Sequence, residues 1–215
     1  MGFFRRRDAD PATVRRRQDE AIAAFWQWWV ASGRAAAAEV FDDRADPSRL
    51  AQEIAPRLDA VHPGLQFETG AGRASRHVLV VTAAGDPDLR ETADRWLEAA
   101  PAADASFEYD TWRRPVEDPA GMSLDLGGTR LDVGDVVVAT TPAGDLTDVV
   151  AWHPAFADLP DEARGQITFL LLDAVLGERV VEEHLGAVGW ASAEPADARP
   201  LVELRDLLGP SAPAP

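Results

Sequence analysis

The residues best equipped for chemistry lie in one stretch, DAVLGERVVEEH, which holds Asp173, Glu178, Glu182, Glu183 and His184. Carboxylates beside an imidazole suit a hard divalent cation, and they also form an acid–base pair. One reading is therefore a metal-assisted or carboxylate-driven hydrolase using Asp173, Glu178, Glu182 and His184. The competing reading is a solvated helix-to-strand connection, because exposed acidic clusters are common in an acidic chain. The second is preferred. The four histidines are His62, His77, His153 and His184, and none has another His at ligand spacing. No metal and no cofactor are therefore expected.

A second candidate is FEYDTWRRPVEDP, where Trp112 precedes Arg113 and Arg114. An aromatic beside two guanidiniums can grip a carboxylate, a phosphate or an acidic peptide. Pro115 biases Arg114 toward extended backbone, so the strand is expected to run to that residue. Alternation then sends Arg113 and Arg114 to opposite faces, with Arg113 on the face of Phe107 and Tyr109. Tyr109, Arg113 and the His153 of AWHPAF form the candidate anionic-ligand site, provided that the strand ends meet. The alternative is that the arginines pair with neighbouring acids. TGAGRAS has the glycines of a dinucleotide loop, but Ser75 replaces the third and a strand follows. It reads as a turn.

Composition removes other chemistries. The chain has 215 residues, no Cys and no Lys, since all 21 basic residues are Arg. Disulfides, thiolate ligands, Schiff-base lysines and a P-loop lysine are excluded. No nucleophile elbow and no H-E-x-x-H pair occurs. Abundant Ala, Arg, Gly and Pro beside absent Lys suggests a GC-rich bacterial genome. Net charge is −16, which disfavours nucleic-acid binding. No signal-peptide pattern and no apolar run of membrane length is seen, so a soluble cytoplasmic protein is expected.

The elements that must position these residues follow from periodicity. Residues 1–10 read as a disordered basic arm and 209–215 as a disordered tail. Between them, 11–208 reads as a single α+β domain, because no Gly/Ser-rich linker divides it. Its first part, 11–62, is a helical layer. In FWQWW the residues Phe25, Trp26 and Trp29 share a stripe with Ile22, so they are expected in a core, with Trp28 on the flank. The first helix should stop near Gly33. Ser48 should cap a later helix that Pro56 kinks or divides. Residues 65–208 read as a largely antiparallel sheet with helices on it and a closing C-terminal helix. Strand, strand, helix, strand occurs at 65–112 and again at 134–192. That succession is either an architectural duplication or ordinary alternation.

FEYDTWRRP, HPAF and LLLDAVLGERVVEEHLGAVGWA together resemble an uncharacterised conserved bacterial protein family, a domain of unknown function. Its members have a Trp-rich N-terminal helix and an LD..LGE..VE segment. The matching positions are Trp26, Trp29, Arg113, His153, Asp173, Gly177, Glu178 and Glu182. The resemblance implies a fold neighbourhood and no reaction. The expected function is a non-enzymatic binding or regulatory module, with a protein or a small anionic ligand as partner. The metal-assisted hydrolase is the alternative.

Overall fold

The computed structural model describes residues 10–41, 46–125 and 130–208. The expected arm, apart from Asp10, and the expected tail lie outside the described residues, as do residues 42–45 and 126–129. The fold is α+β. Where the unbroken composition suggests one domain, the chain gathers into two compact units, Met1–Thr111 and Trp112–Pro215. Each has its own apolar core.

The first unit opens with α1 (Pro11–Trp28), a π-helical turn at Trp29–Gly33 and α2 (Arg34–Phe41). Gly33 does not stop this helix. It is buried, and a Cβ there would sit 2.8 Å from a ring carbon of Trp29 and 2.9 Å from one of Trp28. The glycine lets two indoles lie against the backbone. Phe25, Trp26 and Trp29 are buried and Trp28 is half-buried, as the stripe requires. The Nε1–H of Trp26 donates to the Trp96 carbonyl at 2.7 Å, so a buried indole keeps its hydrogen bond.

Next comes α3 (Pro47–Val61). Its cap is Asp46, which accepts from the Ser48 N–H, and Pro47 takes the first turn. Ser48 is thus the capped residue and not the cap. Pro56 lies inside this unbroken helix. It is exposed, and so is Gln52, whose carbonyl loses the proline's missing donor, so water can replace that bond. The sheet of this unit has the order β1 (Gln66–Ala71), β2 (His77–Thr82), β3 (Phe107–Asp110). β1 and β2 are antiparallel; α4 (Pro87–Glu98) then crosses over, and β3 lies parallel to β2. Every residue of β2 is buried, which fits the continuous apolar run VLVV.

In the second unit, β4 (Ser123–Asp125) and β5 (Arg130–Asp132) form an antiparallel pair. The larger sheet has the order β8 (Leu185–Trp190), β7 (Leu146–Trp152), β6 (Val137–Ala143), β9 (Arg199–Pro200). β6 and β7 make an antiparallel hairpin, turning at Gly144 with φ +67°. After α5 (Asp161–Leu176) and α6 (Glu178–His184), β8 returns parallel to β7. α7 (Leu204–Leu208) follows β9. Hairpin, helical crossover and parallel third strand therefore occur in both units with the same strand order. ERVVEEH, expected as a connection, is the helix α6. Among the described residues no helix is long and apolar enough to cross a membrane.

Candidate functional site

The acidic stretch and the arginines meet in the second unit, but as framework. α5 ends at Leu176, and Gly177 takes φ +83°, a backbone region that L side chains rarely adopt. A Cβ there would lie 2.7 Å from Pro115 Cδ. The segment from Arg113 to Glu117 passes close over this helix end. The Val116 N–H donates to the Ala174 carbonyl at 2.8 Å, and Gly177 N–H donates to Asp173 O. Arg205 completes the end with Nε on the Val175 carbonyl at 2.9 Å, and it reaches back to the Val116 carbonyl at 2.7 Å. The last carbonyls of a helix need such donors, and here the protein's own chain supplies them.

Glu178 is 3% exposed. Its Oε2 accepts from the Arg113 N–H at 3.0 Å, while its own N–H donates to the Arg113 carbonyl at 3.0 Å. The two residues thus bond reciprocally. The Arg113 guanidinium also lies 3.4 Å from Asp173 Oδ2, and both side chains are mostly buried. The structure therefore joins Arg113, Asp173 and Glu178. Glu182 and His184 are exposed on α6. Among the described residues no three His, Asp or Glu side chains converge as a metal-holding group.

The strand alternation behind the expected ligand site does not extend to the arginines. β3 stops at Asp110, so Arg113 and Arg114 are outside the sheet and face parity does not apply to them. The cause is local. The Thr111 carbonyl is taken by Arg90 at 2.8 Å, and the Arg113 backbone pairs with Glu178 and not with a strand. Tyr109 belongs to the first unit, where its hydroxyl accepts from Trp29 Nε1–H at 3.0 Å. Burial pushes that hydroxyl's pKa up, against the Trp29 bond. His153 belongs to the second unit and is buried. Its Nδ1 accepts from the Ala155 N–H at 3.1 Å, closing the turn that starts a short helix at Pro154. Its ring lies against Phe156, with centroids 6.3 Å apart. Burial lowers its pKa, opposed by the nearby charges of Asp135 and Asp132.

Sequence reasoning missed one arrangement. In the first unit the TGAGRAS turn aims three backbone N–H groups, from Arg73, Ala74 and Ser75, at one buried carboxylate. It belongs to Glu108, and all three distances are 2.8 Å. Consecutive amides of this kind form a nest for an anion, and the carboxylate stands where an external anion would. The turn is thus chemically suited to an oxyanion and already holds one from its own chain. The available signal was an acid at an inward strand position, Glu108 beside Phe107.

No family model, curated protein or solved structure matches the chain.

Proposed function

We propose that the protein is a non-enzymatic binding module of the bacterial cytoplasm, with a protein as its partner. One observation carries this reading. The two acids best placed for chemistry, Asp173 and Glu178, are engaged by Arg113, the first by its guanidinium and the second by its N–H. A general base or a metal ligand needs a lone pair directed at a substrate or ion. Glu178 instead directs an oxygen at its own backbone from a buried position. Asp173 likewise balances a mostly buried cation, and breaking such a pair leaves an uncompensated charge. His153 points an acceptor nitrogen into its own turn.

Native mass spectrometry of protein purified without added metal tests this reading. The expected spectrum shows the polypeptide mass or a multiple of it, with no retained divalent ion. A stoichiometric calcium or magnesium ion that is lost in Glu178→Gln would overturn it in favour of the hydrolase.

A further inference from the structure

The amino-acid pattern of α5 is apolar on too many sides for one buried face. Ile167, Thr168, Leu171, Leu172, Val175 and Leu176 are buried. Phe169 and Leu170 interrupt that run and are 47% and 52% exposed. Two adjacent large apolar side chains in water are uncommon without a partner, although single ones are ordinary. They share their outward stripe with exposed Gln166 and Glu162, one and two turns earlier. One turn later the stripe reaches Ala174, whose carbonyl holds the Val116 N–H, and Val116 is itself 37% exposed. Glu117 and Asp118 follow it and are exposed. The apolar strip is therefore bordered by carboxylates at both ends.

The basic side chains near it are turned to acceptors of their own unit. Arg164 donates to the Leu159 carbonyl at 2.9 Å. Arg205 holds the Val175 and Val116 carbonyls, and Arg113 lies on Asp173. The whole second unit carries 7 Arg against 18 Asp and Glu, a net of −11. A second copy of this unit would bring like charge to the strip, which disfavours self-association.

We propose that the outer stripe of α5, centred on Phe169 and Leu170, docks a basic amphipathic segment of another protein. Such a segment presents apolar residues at helical spacing, flanked by Arg or Lys. This proposal rests on the binding-module reading and names its surface and partner class. Apolar anchors supply the affinity, and the acidic border sets the orientation and the association rate. The strip is small, so the contact is a weak, transient one that falls with salt.

The test titrates the full chain into a labelled amphipathic helical peptide of Leu and Lys, read by fluorescence anisotropy. A Leu/Glu peptide of the same pattern is the charge control. The Leu/Lys peptide is expected to bind, the more weakly the higher the salt, and the Leu/Glu peptide is not. The Phe169→Gln/Leu170→Gln variant keeps every charge, and it should lose at least about tenfold in affinity, the loss expected of central anchors. Should that variant fail to fold, Glu162→Gln/Glu117→Gln/Asp118→Asn tests the border and should weaken binding several-fold. Equal binding by these variants, equal binding of both peptides, or binding of neither would overturn the proposal. So would a dimer in sedimentation that the double variant abolishes, since a second copy would then be the occupant. A failure here alongside a metal-free native mass spectrum would leave the binding-module reading standing. A retained metal ion would remove that reading whatever the peptides do.

Discussion

The two units share a succession of three strands, to which the second adds β9 beside β6, and differ in much of what fills it. Each has an antiparallel hairpin, a helical crossover and a third strand parallel to the second. In the first unit the core is rich in aromatics, with Phe25, Trp26, Trp29, Trp96 and Phe107 among aliphatic neighbours. In the second it is mainly aliphatic, with Leu131, Leu171, Leu172, Leu201 and Leu204 around Phe156. Charge differs as well. Residues 1–111 carry 14 Arg against 19 acids, a net of −5, and residues 112–215 carry a net of −11. In the first unit arginines tie elements to acids: Arg15 to Glu91, Arg34 to Asp104 and Arg95 to Asp19. In the second, Arg113 pairs with Asp173 in the same way, while Arg164 and Arg205 serve carbonyls. One connectivity thus supports two surfaces, and the more acidic one also carries the exposed pair on α5.

The contrast can be broken most strongly at the aromatic core. Trp29 is fully buried and bonds Tyr109. Trp29→Ala should cost about 3–5 kcal/mol, the range for large aromatic truncations. Urea unfolding measures it, and a loss below about 1 kcal/mol would mean the site collapses around the gap. A smaller effect is expected at the anion nest. Glu108→Gln replaces one acceptor oxygen by a donor facing an N–H. It should cost about 2–3 kcal/mol, as for charge-assisted hydrogen bonds. The same variant should speed hydrogen exchange at Arg73, Ala74 and Ser75, and unchanged protection there would show that the carboxylate does not hold the turn.

The smallest effect concerns pH in the second unit. His153 is held below its usual pKa of 6.5, so its folded form resists protonation. Above that value both folded and unfolded states are neutral at this residue, and its contribution is fully present. As pH falls below 6.5 the unfolded chain takes the proton first, so stability declines. His153→Asn keeps an acceptor for the Ala155 N–H and removes the titration. The urea midpoint of the variant should therefore fall less between pH 7.5 and 5.5 than that of the native chain. Equal falls would assign the acid sensitivity elsewhere.

Local periodicity made the aromatic stripe legible, because Ile22, Phe25, Trp26 and Trp29 recur at helical spacing. Gly33 misled because glycine marks a helix end and a close approach equally, and only the indoles of Trp28 and Trp29 decide between them. The end of β3 was illegible for a different reason. Arg113 leaves the sheet to pair with Glu178, 65 residues away. Glu108 is of the same kind, since its donors lie 33 to 35 residues upstream. Polar groups satisfied at long range leave no periodic trace, so an acidic cluster and a structural carboxylate look alike in sequence.

Glu178 is part of the framework, bonded to the Arg113 backbone in both directions. Thermal unfolding of the native chain and of Glu178→Gln, each with and without excess calcium or magnesium, tests that directly. The prediction is a loss of about 1.5–3 kcal/mol in the variant, the worth of a hydrogen bond to a charged group, with no effect of either ion on either protein. A native chain stabilised by the ion, together with an unperturbed variant that the ion no longer affects, would make Glu178 a ligand and not a framework residue.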